Sequence, residues 1–433
     1  MMKMKKKILF LLLVLSVALQ AQKILTLSDA VSLALKNNYN ILIAHNDTEI
    51  AKVNNTLGNA GMLPSVQIVG GADYANNNIY QKSGNGTEST YPNQNSTRLN
   101  AGVELNWTLY DGGKMFVTKT KLNEIQRLGE IQFQTQALET MYQVIAAYYD
   151  LVRQKQQLKS INEIIKYNRE RVKIAETGFN AGSLIKTDLL QAKIDLNVAQ
   201  ENAISQQSAI ESAKKILNTL LGVDAHIGID VNDSIVNNYT PNKEELFQKL
   251  NVSNTSILTF QKQVEIAKLT LRENRSNYLP TFNLKGGYYI SGIVNSEGST
   301  LENRVFGPQI GGTLAIPLYK SGETQRKMAT ARLEMESSAY DLENTKLRLN
   351  VELQNTLTDF ENQQRLLEIE KQNKELAKEN LEISLSRLRL GQTTSLEVHL
   401  AQENYEQSCT RLTNFEYHLK MAETKLKQLV SGL

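Results

Sequence analysis

The sequence predicts a mostly helical chain with a small, regular complement of β-strands, and three observations lead there. Long stretches rich in Gln, Lys and Glu keep an apolar residue every three or four positions, the period of a helix face. Four other segments, each of about ten residues, alternate apolar and polar residues as a half-dry strand does. The second half of the chain repeats the order of the first.

In chain order the first element is a secretion signal. Lys3, Lys5, Lys6 and Lys7 precede an apolar run from Ile8 to Leu19 broken only by Ser16, and Ala21 offers a small residue for cleavage. Residues 1–22 therefore read as a signal peptide, too short in its apolar part to span a bilayer. No Cys follows the run to carry a lipid. Without these residues 44 basic side chains face 45 acidic ones, so the formal charge of +3 becomes −1, and nothing points to nucleic acid as a partner. Cys409 is the only cysteine, which excludes an intrachain disulfide. The rest of the chain has no run of 18 apolar residues, so it can cross a membrane only with strands.

The duplication is collinear. "NNYNIL", with "IAK" at 50–52, matches "SNTSIL", with "IAK" at 266–268, at a shift of 216. "MLPSVQIVGGADY" from Met62 matches "YLPTFNLKGGYYI" from Tyr278 at the same shift. "LYDGG" from Leu109 matches "LYKSG" from Leu318 at 209, as Gly182, Asp188 and Ala192 match Gly391, Glu397 and Ala401. The register changes between the two strands of each half, in stretches of Asn, Ser, Gly and Thr (76–98 and 291–304) that read as hairpin loops. The expected organisation is a first repeat over 23–222, a connector over 223–242 and a second repeat over 243–433. Each repeat opens with a helix, then carries a β-hairpin (64–110 or 280–319) and a long helical hairpin (114–222 or 322–430).

The helices carry a seam. Leu189, Ala192, Leu196, Ala199, Ala203, Gln206, Ile210, Ala213, Leu217 and Leu220 follow heptad spacing, with Gln206 the one polar interruption. The equivalent seam runs from Val398 through Ala401, Tyr405, Ser408 and Leu412 to Leu429. Such a pattern means coiled-coil packing. The preceding helix, from Gly113 to about Gly178, has no proline, shows heptads at 138–152 and, after a slip, at 158–179, and would be a rod of roughly 100 Å.

The strands fall at 64–74, 99–110, 280–290 and 305–319. Leu99, Ala101, Val103, Leu105, Trp107 and Leu109 form the dry side of the second. Phe282 and Leu284 belong to the dry side of the third, and Leu314 and Ile316 to that of the fourth. Nothing else in the chain offers a complementary layer, so lipid is the expected neighbour of Val103, Leu105, Trp107, Phe282, Leu284, Leu314 and Ile316. Trp107, Tyr110 and Tyr319 suit a membrane–water interface. Four strands cannot close a membrane barrel, whose smallest known form has about eight, and an open edge in lipid leaves backbone groups unpaired. The barrel must be shared between chains: two would supply eight strands, three twelve.

"LSDAVSLALKNNYNI", the "LPS" and "LPT" that open two strands, "WTLYDGGK", "IPLYKSG", "GFNAGSLIKTDLLQAKIDL" and "LRLGQTTSLEVHLAQENY" together resemble the TolC-like outer membrane efflux protein family over nearly all of the mature chain. The resemblance implies a homotrimeric tube: a 12-stranded transmembrane β-barrel, four strands per chain, continued by a long coiled-coil α-helical barrel. It implies a place in the outer membrane of a Gram-negative type envelope, reaching into the periplasm. It also implies a passive duct for efflux or type I secretion, working with a periplasmic adaptor protein and an inner-membrane transporter. By motif, the entrance that meets the adaptor falls at Phe179, Asn180, Gly182, Ser183, Thr187 and Asp188 in the first half. In the second half it falls at Arg387, Leu388, Arg389, Gly391, Gln392, Thr393 and Ser395. The glycines suit a left-handed helix end, Thr187 is a candidate cap, and Asp188 suits the first turn of the next helix. Arg387 and Arg389 stand where some members of the family carry acidic rings.

No catalytic or metal chemistry is legible. His45, His226, His399 and His418 form no ligand-spaced set, and His399 and His418 read as solvated helix residues. "DGGK" (111–114) lacks the spacing of a phosphate-binding loop. No enzyme, cofactor or metal is expected. The competing reading, a periplasmic coiled-coil structural or adaptor protein without a barrel, would need compact β domains flanking its hairpins. Here the strands come as isolated hairpins between long helices.

Overall fold

In a computed structural model of the chain, residues 24–298 and 300–433 are described; the signal read at residues 1–22 lies outside them. The elements are β1 (Ile24–Leu25), α1 (Leu27–Asn37), α2 (Tyr39–Asn54), β2 (Ser65–Lys82), β3 (Glu88–Asp111), α3 (Lys114–Asn180), α4 (Lys186–Leu221), β4 (Asp230–Val231), α5 (Lys243–Ser253), α6 (Thr255–Ser276), β5 (Thr281–Asn295), β6 (Glu302–Ala315), α7 (Glu323–Arg389) and α8 (Ser395–Leu429). They fall into two compact units. One holds Asp47–Glu130 and Thr259–Glu343; the other holds the described part of Met1–Asn46 with Ile131–Leu258 and Asn344–Leu433. No helix among the described residues is long and apolar enough to cross a membrane.

The first unit is organised by an antiparallel sheet in the order β2-β3-β5-β6. The two hairpins pair through β3 and β5, with Val103 opposite Tyr288 and Trp107 opposite Leu284. The strands are longer than alternation alone suggests. β2 has 18 residues and β3 has 24, so the stretch 76–98 expected as a loop is mostly ladder, closed by a short turn in which Ser83 N donates to Thr87 O at 2.9 Å. Backbone pairing needs no apolar side chains, and the amides here add their own hydrogen bonds across the strands. The stretch 291–304 is likewise strand over 291–295 and 302–304.

Two strand ends differ from the sequence expectation. β6 stops at Ala315, so Ile316 lies beyond the strand. Pro317 follows it, has no N–H to continue the ladder and restricts the residue before it. The alternation of β3 breaks at Leu109: a bulge leaves it unpaired and sets Tyr110 opposite Phe282, on the face of Trp107.

The second unit is helical. Ala192, Ala199, Ile210, Ala213 and Leu217 of the first seam are buried, as are Val398, Ala401, Tyr405, Leu419, Leu426 and Leu429 of the second. Gln206 is accommodated by a polar hook: its Nε2 donates to Gln154 O at 3.0 Å and to Gln154 Oε1 at 2.7 Å. One core gathers Ala30, Ala34, Val144, Leu151, Leu217 and Leu221, and another Ile164, Leu381, Leu385, Val398 and Tyr405. β1 pairs in parallel with β4, and Tyr148 OH donates to Leu25 O at 3.0 Å beside them.

The two halves use the same joints. Asn38 Nδ2 donates to Leu220 O at 2.8 Å, and Asn254, 216 residues on, donates to Leu429 O at 2.8 Å. Gly182 (φ 75°) and Gly391 (φ 67°) take the left-handed conformation at equivalent turns. So do Gly222 (φ 67°) and Ser431 (φ 54°), at the ends of α4 and α8.

Candidate functional site

Two regions hold the residues singled out from the sequence: the faces of the sheet and the turns of the two helical hairpins. On the sheet, residues directly opposite each other share a face. Val66 lies opposite Leu105, and Ile68 opposite Val103. Trp107 lies opposite Leu284, Phe282 opposite Leu314, and Ile290 opposite Phe306. Val103, Leu105, Trp107, Phe282, Leu284 and Leu314 are thereby brought onto one apolar face that spans all four strands; Ile316 is not on a strand. Much of this face is open, with Ile68 85 % and Ile310 81 % exposed. Trp107 Nε1 donates to Met62 O at 3.0 Å, which fixes the indole at one end of the face.

The opposite face is polar. Thr108 Oγ1 donates to Asn283 Oδ1 at 2.8 Å, and Ser291 Oγ to Asn100 Oδ1 at 2.7 Å. Tyr289 OH reaches Glu104 Oε2 at 3.4 Å. Glycine is required beneath that tyrosine. A Cβ on Gly102 would stand 2.6 Å from Tyr289 Cδ1, and one on Gly287 2.9 Å from Tyr289 Cε2.

The helical turns are built alike and finished differently. At the first, Ser183 N donates to Gly178 O at 2.8 Å and Gly182 N to Phe179 O at 3.1 Å. α4 then starts at Lys186, with Ile185 in the N-cap position and no side-chain hydrogen bond there, so Thr187 does not cap it; Asp188 does lie in its first turn. At the second, Gln392 N donates to Arg387 O at 2.9 Å, and Thr394 caps α8 by accepting from Glu397 N at 3.2 Å. Arg387 Nη1 meets Glu397 Oε1 at 2.8 Å, Thr393 Oγ1 also donates to Glu397, and Arg389 Nη2 meets Glu170 Oε1 at 2.9 Å. Both arginines of "SRLRLG" are thus paired with acids. The two turns share a groove of about 450 Å³ whose walls include Thr177, Ser183, Leu184, Leu388, Arg389 and Gly391. Leu388 and Ser395, expected among the entrance residues, are buried, while Ile185 and Leu390 are exposed.

Behind the groove lies a cluster that the sequence pattern does not mark. Arg171, fully buried on α3, places Nη1 2.6 Å from Asp195 Oδ2 of α4 and Nη2 3.3 Å from Ser395 Oγ of α8. His399 Nδ1 lies 3.1 Å from the same Asp195 oxygen. The one trace of it in the sequence is a polar residue, Asn168, at a seam position between Ile165 and Val172. No group of His, Cys, Asp and Glu among the described residues is placed to hold a metal ion.

Comparison with known proteins agrees with this geometry. The profile of the family described as outer membrane efflux protein matches residues 30–223 and 242–432. The chain is 23% identical to the proteases secretion protein PrtF of Dickeya chrysanthemi over 440 residues, covering 99% of this chain and 93% of that one. It is 19% identical to the outer membrane protein TolC of Vibrio cholerae over 78% of each. Among solved structures, VceC from Vibrio cholerae aligns with a TM-score of 0.76 at 16% identity, over 94% of this chain and 96% of that one. The Campylobacter jejuni CmeC outer membrane channel aligns with 0.78 at 17% identity, over 94% and 85%. Those two likenesses are of fold, whereas the family match spans both halves. The chain belongs to the outer membrane efflux protein family.

Proposed function

We propose that three copies of this chain close one twelve-stranded barrel through the outer membrane, and that their helical hairpins line a periplasmic conduit. The observation that carries this reading is the sheet. Its outer edges, on β2 and β6, have no partner among the described residues, while one face is apolar across all four strands. β2 and β6 run in opposite directions, so β6 of one copy meets β2 of the next in the same antiparallel sense, and closure removes every edge. On β3 the apolar face runs from Leu99 to Trp107, about 27 Å along the strand, the scale of a membrane barrel's apolar band. Val103, Leu105, Trp107, Phe282, Leu284 and Leu314 face lipid in this arrangement, Ile316 sits at the interface, and the polar face lines the pore.

The Gly182 and Gly391 turns form the periplasmic entrance, where a periplasmic adaptor docks and brings in an inner-membrane transporter. The chain is a passive duct without catalysis of its own, and the energy comes from that transporter. The relative named for protease secretion supports the secretion branch of this reading. The test is the native mass of protein extracted with detergent from fractionated envelopes, followed by conductance in planar bilayers. A species of three chains from the outer membrane that conducts is the expected result; a soluble periplasmic monomer overturns the reading.

A further inference from the structure

The β2–β3 hairpin outruns the sheet it belongs to. Pairing of β3 with β5 ends at Ser96 opposite Asn295, whereas β2 and β3 stay paired out to Lys82 opposite Glu88. The excess is a two-stranded arm of about 20 Å at the end of the sheet away from the helix connections. Its base is braced by the turn after β5. Ser296 N donates to Asn95 O at 2.9 Å, Asn95 N donates to Ser296 Oγ at 2.9 Å, and Gln94 Nε2 donates to Glu297 O. A bulge sits midway along it, with Asn93 at φ 57° and its N–H donating to Asn78 Oδ1 at 2.8 Å.

The arm's chemistry is uniform. Asn, Gln, Ser, Thr and Tyr dominate residues 74–95, and the hairpin's Lys82 and Glu88 neutralise each other at 2.6 Å. The extra residue of the bulge belongs to β3, so β2 alternates without interruption. Val66, Ile68 and Ala72 of the apolar face therefore continue along one face into Tyr74, Asn76, Asn78 and Tyr80. Tyr74 is 70 % and Tyr80 63 % exposed, and Tyr74 OH and Asn76 Nδ2 both donate to Asn95 Oδ1 at 2.7 Å.

From this continuity we infer that the arm is a docking face for the saccharide of glycolipids in the surrounding outer leaflet. The inference rests on the lipid-facing reading of the apolar face. What lies laterally beyond the hydrocarbon on that face is the headgroup layer of the same leaflet. The face offers no unpaired cation for a phosphate. It offers flat tyrosine rings for the C–H faces of sugar rings and amides for their hydroxyls. Two tyrosines six residues apart on one strand stand about 20 Å from each other, a span of several sugar units.

The test uses the full-length protein in detergent and, as probe, the polysaccharide of lipopolysaccharide freed of its lipid by mild acid. Wild type binds it saturably, and the affinity is the same at about 50 and about 300 mM salt, as expected for contacts without charge. The Tyr74→Ala/Tyr80→Ala variant, changed only at exposed side chains, loses affinity at least about tenfold while its oligomer is recovered as before. No binding by wild type, equal binding by the variant, or binding that collapses with salt and so reports phosphate overturns the inference. If wild type is not an outer membrane trimer, the proposed function fails, and that readout is separate from polysaccharide binding.

Discussion

Arg171 and Asp195 form the tightest ion pair behind the hairpin turns: Nη1 and Oδ2 stand 2.6 Å apart with the guanidinium fully buried. Asp195 also accepts from Gln191 Nε2 at 2.8 Å and lies 3.1 Å from His399 Nδ1, so three helices converge on one carboxylate. Removing that carboxylate leaves a buried charge without its counter-ion. Asp195→Ala is expected to cost about 3–5 kcal/mol, and the double change Arg171→Met/Asp195→Leu much less, because the stranded charge goes too. Thermal unfolding followed by circular dichroism in detergent separates the two. Equal losses would mean that packing, not charge, holds the junction.

The hairpins differ at their caps. Thr394 accepts a hydrogen bond from Glu397 N, while Ile185, its equivalent in the first half, accepts none. Ile185→Thr should stabilise the first turn by about 0.5–1 kcal/mol, and Thr394→Ala should weaken the second by about 1 kcal/mol. Hydrogen exchange at residues 178–190 and 387–399 reads each turn by itself, since opening there is local. A cap that forms in Ile185→Thr without slowing exchange would show that the turn's mobility is set elsewhere.

The helices, their seams and the strand faces are legible in the sequence because each rests on one element's own periodicity. Leu217 and Leu426 can be placed in the core by counting sevens, and Val103 and Leu105 on a dry face by counting twos. What escapes the reading depends on partners. The ladder through Asn76 and Asn95 has no apolar alternation to announce it, and the bulge at Leu109 becomes visible only against Phe282. His399 reads as a solvated helix residue until α4 brings Asp195 beside it. Thr187 looks like a cap in isolation, but it lies inside the helix, whose cap position falls two residues earlier, at Ile185. The arginines at 387 and 389 show their acidic partners, Glu397 and Glu170, only once the turn has folded.

Glu406 gives a pH-dependent prediction. Burial, aided by the neighbouring Glu403 carboxylate, pushes its carboxyl above the usual range. Below the ordinary carboxylate value of about 4.3 both folded and unfolded chains hold the proton, and the group is neutral in its effect. As the pH rises past that value the unfolded chain releases its proton first, so stability falls until the folded group has ionised as well. Glu406→Gln should therefore raise the melting temperature at neutral pH, with the advantage fading below about pH 4. An advantage independent of pH would mean that the glutamine packs better rather than that a charge has been removed.

Trp107 is the only tryptophan in the chain, so its emission reports one point on the sheet. It lies on the apolar face, 37 % exposed, with its indole N–H satisfied by Met62 O. In reconstituted vesicles its emission should be blue-shifted and quenched by lipids brominated along the acyl chain. Quenching should be stronger for bromines near the glycerol than near the chain ends, because the residue sits at one end of the apolar face. Trp107→Phe should abolish the signal while leaving the oligomer intact. Emission quenched by aqueous iodide and untouched by brominated lipid would put this face against water and would remove the basis for a membrane barrel.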